Sequence, residues 1–225
     1  MHIIPSIHRQ TGASLVGTMI GAAIGLFILA GGTKLYVDYI QSNRQYMLTI
    51  RLNQELRAVT DLVARDLKRA GYWGNAKAGI STGAGMGVTN AYAPITISSD
   101  PAVLRFQYAT DMDNAVAGME SYGYRLQNGK IEMSNDGGAN WGELTDANAT
   151  VVTGFSLVAN SRVVSLAEYC PNTLPAGTLP PTMAIRIFNL TITGHSKADP
   201  TIRRQVQESV RVRADQISGA CLATT

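Results

Sequence analysis

Three histidines, His2, His8 and His195, and two cysteines, Cys170 and Cys221, are all the imidazoles and thiols in 225 residues. Zinc sites draw several Cys, His or carboxylate ligands at close, regular spacings, and no such set can be assembled. A serine–histidine–acid triad could use His195, which lies beyond the first dozen residues that hold the other two, but no Gly-x-Ser-x-Gly turn accompanies it. His195 is therefore read as an ordinary surface histidine on a strand edge. Asp111 and Asp113, in "TDMDN", have the carboxylate content of a calcium loop but lack the glycine and distal glutamate of an EF-hand. They are read as a solvated loop. "GAGMG" (Gly83 to Gly87) superficially fits a phosphate-binding turn, yet no strand pattern precedes it and no helix start follows. The expectation is a protein that is not an enzyme and holds no metal or cofactor.

"SNDGGANW" fits the pattern Ser-x-Asp-x-Gly-x-x-Trp, with Ser134, Asp136, Gly138 and Trp141 in the defined places. This Asp-box resembles turns of many β-propeller glycosidases, where it is not catalytic. Its chemistry is local: an Asp side chain caps backbone amides, glycine supplies positive φ, and the Trp packs on the hairpin. A propeller needs repeated blades and no repeat is found. A structural turn is expected, with a sugar- or surface-binding loop as the alternative. In an exported protein, Cys170 and Cys221 read first as one disulfide. It would enclose about fifty residues and stabilise by roughly 4 kcal/mol; two unrelated buried thiols are the alternative. The formal charge is +3, from 19 basic and 16 acidic residues. So weak a balance makes no case for nucleic acid as the main partner.

Residues 13–32 carry no charge. As a helix, twenty residues reach about 30 Å, the thickness of a bilayer's hydrocarbon core. The stretch is longer than a signal-peptide core and runs on into more helix-like sequence. Arg9 before it biases the N-terminus towards the cytoplasm and the bulk outside, although Lys34 follows closely. Gly17, Gly21 and Gly25 recur every fourth residue on one face, a spacing that lets helix backbones approach in lipid. Beyond Lys34, Leu48, Leu52, Leu56, Val59, Val63, Leu67 and Ala70 form one buried helical stripe. Asp61 and Arg65 make an i,i+4 pair off that stripe, and Gly71 is a natural C-cap. One helix from about Ala13 to Ala70, roughly 85 Å long, is expected.

From Gly71 the character changes. Residues 74–90 contain five glycines and read as a mobile loop. Strand-like runs follow at Ile95 to Ile97, Val103 to Tyr108, Thr150 to Val158, Met183 to Thr193 and Thr201 to Arg213. Asn128-Gly129 between two more runs is a hairpin signal. A long helix followed by strands predicts an α+β fold with a mainly antiparallel sheet. Tyr169 to Pro181 holds four of the eight prolines and reads as an extended loop.

A polar leader ending in glycine ("MHIIPSIHRQTG"), then "ASLV" and a continuous apolar helix, resembles a type IV prepilin signal. "DLVARDLKRAGYWGN" (Asp61 to Asn75) is similar to the end of the long helix in PilW-like minor pilins. Together these cover the first third of the chain. The resemblance implies a type IV pilin-like fold with 1–12 as leader, 13–33 as the membrane and assembly half of the helix, 34–70 as its amphipathic periplasmic half and 71–225 as a β-rich domain. It implies cleavage after Gly12 by a prepilin peptidase, methylation of Ala13, and helix packing along the Gly17, Gly21 and Gly25 face. It also implies a disulfide-bounded C-terminal loop, here Cys170 with Cys221. Implied partners are the peptidase, major and minor pilins, the inner-membrane assembly platform and membrane lipid. The implied location is the inner membrane, then a surface pilus. Some pilus systems take up DNA, and Arg203, Arg204, Arg211 and Arg213 are basic, but a solvated strand face is the preferred reading. The sequence departs from the family pattern at Gly17, where most type IV pilins have glutamate. That departure is compatible with a tip or initiating subunit, or with simple continuation of the glycine face. A type II secretion pseudopilin and a membrane-anchored periplasmic binding domain are the alternatives.

Overall fold

The computed structural model describes residues 12, 14–79, 88–99, 102–170, 179–219 and 221. Residues 1–11 of the expected leader, the expected N-terminal residue Ala13, the "GAGMG" stretch and residues 171–178 of the expected proline-rich loop lie outside these. Among the described residues, one α-helix, α1 (Leu15–Leu67), is followed by eleven strands. The chain divides into two compact units, residues 1–47 and 48–225.

In the second unit the sequence stripe of α1 becomes the core. Leu52, Leu56, Val59, Val63 and Leu67 are buried, as is Ala70 just beyond the helix. They join one cluster with Leu104, Phe106, Tyr124 and Ile131, and with Val152, Phe155, Phe188, Leu190, Ile192 and Val210. Each fully buried large apolar side chain contributes about 1.5–3 kcal/mol. Asp66 is buried on the same side and accepts a 2.6 Å hydrogen bond from the Tyr124 hydroxyl. Arg65 lies 3.7 Å from Asp66, which is the ion pair it makes in place of the expected one with Asp61. The helix ends short of Ala70, in a turn closed by Gly71 at φ +75°.

The first sheet is antiparallel, with β1 (Ile95–Ser99), β2 (Ala102–Gln107), β3 (Ser121–Gln127), β4 (Lys130–Ser134) and β5 (Gly142–Glu143) in chain order. β3 and β4 meet at Asn128-Gly129, with φ +49° and +75°. Positive φ at both central residues is what a two-residue hairpin turn needs to match strand twist. A second antiparallel sheet, in spatial order, holds β10 (Arg203–Arg211), β9 (Ile187–Ser196) and β6 (Thr150–Ala159). A third holds β11 (Gln216–Ser218), β8 (Thr182–Ile185) and β7 (Arg162–Ser165). β7, β8 and β11 continue the lines of β6, β9 and β10, so these two sheets are one ribbon interrupted at Arg186.

That interruption corrects the single strand expected over Met183 to Thr193. The Arg186 side chain is buried, and its guanidinium donates to the carbonyls of Ala93 and Ala214. Turning this side chain inward takes the residue out of the ladder, although its own carbonyl still accepts from Val212 N–H. His195 is also placed differently from expectation: β9 is the central strand, and His195 sits between Arg203 and Val151. In the glycine-rich segment the described ends are fastened by hydrogen bonds, Val88 N–H to Ala78 and the Asn90 amide to Gly71.

Candidate functional site

α1 is long and apolar enough to cross a membrane. In its first unit every large apolar side chain is exposed, including Leu15, Ile20, Leu26, Phe27, Ile28 and Leu29. Between Leu15 and Thr33 the two polar side chains are hydroxyls bonded to their own helix: Thr18 donates to Leu15 O at 2.8 Å and Thr33 to Leu29 O at 2.7 Å. No polar side chain there depends on water, which is the requirement for a segment in hydrocarbon. Gly12 is exposed, and added Cβ atoms at Gly21 and Gly25 would meet nothing within 4 Å. At Gly17 the only neighbour is the Ser14 Cβ, at 4.0 Å. The glycine face is thus smooth, and no described residue covers it. Its shape suits close approach by another helix and supplies no chemistry of its own.

The Asp-box follows β4. Asp136 accepts from Ser134 Oγ at 2.7 Å, from Asn140 N–H at 3.0 Å and from the Asn140 amide at 2.6 Å. These donors, Asn140 N–H first, hold its carboxyl well below the usual carboxylate range. Gly138 N–H donates to Ser134 Oγ, and the Trp141 indole donates to Gly138 O at 2.9 Å. Gly137 and Gly138 take φ +76° and +95°. The indole packs over Gly123 of β3, where a Cβ would come within 3.0 Å of it. The Arg125 guanidinium covers the ring at 4.2 Å while pairing with Glu132 at 2.6 Å. The motif's four residues are consumed by one another and by the sheet, and the ring face over Arg125 is already occupied.

Cys170 and Cys221 are joined, 51 residues apart in sequence. The bridge ties the turn after β7 to the end of β11. No residue of β7, β8 or β11 belongs to the buried core. Asp111 and Asp113 each cap a backbone N–H two residues on, and among the described residues no three His, Cys, Asp or Glu side chains gather to hold a metal. Arg203, Arg204, Arg211 and Arg213 are exposed, and Arg211 pairs with Asp215 at 3.2 Å.

Sequence reasoning passed over a buried carboxylate. Glu120 is 1% exposed and receives Thr110 N–H and hydroxyl, Ala117 N–H and, at 2.8 Å, the Tyr92 hydroxyl. The backbone donors Thr110 and Ala117 outweigh the cost of burial and bring its pKa down to about 2. Burial and the Glu120 carboxylate push the Tyr92 hydroxyl up. The local donor, Ala117 N–H three residues earlier, does not mark Glu120 in the sequence as buried; Tyr92 and Thr110, 28 and 10 residues away, complete its shell only in the fold. Asp66 was legible in principle, since it falls three residues after Val63 on the buried stripe.

The family model of prepilin peptidase-dependent protein B matches residues 45–212. No curated protein and no solved structure matches the chain.

Proposed function

The chain belongs to the prepilin peptidase-dependent protein B family, related to the type IV pilins, and on that premise we propose that it is a PilW-like minor pilin, a non-enzymatic subunit that primes or joins a filament. In this reading residues 1–12 are removed after Gly12, Ala13 becomes the methylated N-terminus, and residues 13–33 hold the chain in the inner membrane before assembly. Residues 34–70 continue the helix outside the membrane, and residues 71–225 form the exposed β-rich domain. Major and minor pilins and the assembly platform are the partners. The observation that carries the reading is one unbroken helix whose first part exposes its apolar side chains and whose last part buries a single stripe. A soluble protein gains nothing from such a surface, whereas a subunit that leaves lipid for a bundle of like helices needs it.

Gly17 stands where a carboxylate would cost about 3 kcal/mol in lipid without a partner. A subunit that enters first has no earlier neighbour to pair with, so the absence fits a tip position. Sheared surface filaments probed with a subunit-specific label test the assignment: label on filaments supports it, and a chain that never leaves the membrane fraction opposes it. Label confined to ends supports the tip position, and label along the shaft removes it. Gly17→Glu is expected to alter assembly or location, and unchanged behaviour would strip Gly17 of positional meaning.

A further inference from the structure

Just past the charge-free span, α1 exposes two tyrosines that no described residue covers. Tyr36 is 65% exposed and Tyr39 is 69% exposed. Three residues apart, they share one helical face, while Lys34 and Asp38, four apart, share another. If Gly32 marks the end of the hydrocarbon, the Cα atoms of Tyr36 and Tyr39 lie about 6 and 10 Å beyond it. The headgroup layer on each side of the core is about 5–8 Å deep. Helical side chains lean back towards the N-terminus, which carries both phenol rings down into that layer. A phenol has an apolar body and a hydroxyl tip and is favoured there, and Lys34 can stretch its ammonium outward from the same level. Tyr46, 63% exposed, lies about 21 Å past Gly32, clear of the layer.

We propose that Tyr36 and Tyr39 form an interfacial anchor, with the headgroup–carbonyl layer of the bilayer as their partner, and that they set how far α1 sinks before assembly. The inference rests on the membrane-anchored reading above and adds the depth at which the helix is held.

The test places one added tryptophan at a time in the full chain, reconstituted in phosphatidylcholine liposomes with lipids brominated near the carbonyl end or near the chain terminus. Trp73 and Trp141 of the unsubstituted protein give the background to subtract. Tyr36→Trp and Tyr39→Trp should lose emission chiefly to the shallow bromines, Leu26→Trp chiefly to the deep ones, and Tyr46→Trp to neither. If Leu26→Trp is quenched while Tyr36→Trp and Tyr39→Trp lose no more than Tyr46→Trp, the anchor is refuted and membrane insertion stands. If Leu26→Trp is not quenched, insertion itself is refuted and the anchor with it. These exposed positions touch no part of the core, so the substitutions leave folding intact.

Discussion

Glu120 shows what a single residue can hold together. Its carboxylate gathers donors from the turns at Tyr92, Thr110 and Ala117. Glu120→Gln keeps one acceptor oxygen and sets an amide against a donor, so a loss of about 1–3 kcal/mol is expected. The pH dependence follows from the depressed pKa of about 2. An unfolded glutamate titrates near 4.3, so the stabilisation is complete above that value and fades as pH falls towards 2. Melting temperature measured between pH 5 and pH 2 should therefore fall less steeply for Glu120→Gln than for the unsubstituted chain; equal slopes would show that Glu120 is not held ionised. At the Asp-box, Asp136→Ala should raise amide exchange across residues 134–141 while leaving the β3–β4 turn protected. Unchanged exchange would mean the carboxylate does not organise the turn. The Asp-box was readable because its residues lie within eight positions and bond to one another. Glu120 was not, because beyond the local Ala117 N–H its partners, Tyr92 and Thr110, are brought to it only by the completed fold.

Among elements, α1 is the one the sequence wrote most clearly. A repeat of three and four over Leu48 to Ala70 needs only local geometry to become a stripe, and the helix ends within three residues of the expected place. Leu56 is fully buried and lies 3.5 Å from the Cβ position of Gly194 on β9. Leu56→Ala should cost about 2–5 kcal/mol by chemical denaturation, the range for cavities in a packed core; a cost near zero would place the helix off the sheet. The strands were harder to read. Met183 to Thr193 alternates well enough for one strand, and only the tertiary bonds of Arg186 to Ala93 and Ala214 divide it. β5, β7 and β11 are two to four residues long, too short for a period to declare itself. The end of the ribbon formed by β7, β8 and β11 lacks core side chains, so its order leans on the Cys170–Cys221 bridge. Replacing both cysteines with serine should cost about 4 kcal/mol by the loop-entropy model. Hydrogen exchange should rise first in residues 162–165, 182–185 and 216–218, and loss of protection in β3 and β4 at the same rate would contradict a separable ribbon end.

For the whole molecule, the two units ask for different surroundings. Residues 48–225 bury a core of their own, and residues 15–47 leave theirs to be covered by something else. Family membership, matched over residues 45–212, rests mostly on the first of these, while the proposed role rests on the second. The measurement that bears most directly on that role is the intact mass and N-terminal sequence of the protein isolated from the membranes and sheared filaments of its host. A chain that begins at Ala13 with an added methyl group is the result predicted. A chain that still carries residues 1–12 in both fractions would contradict the account.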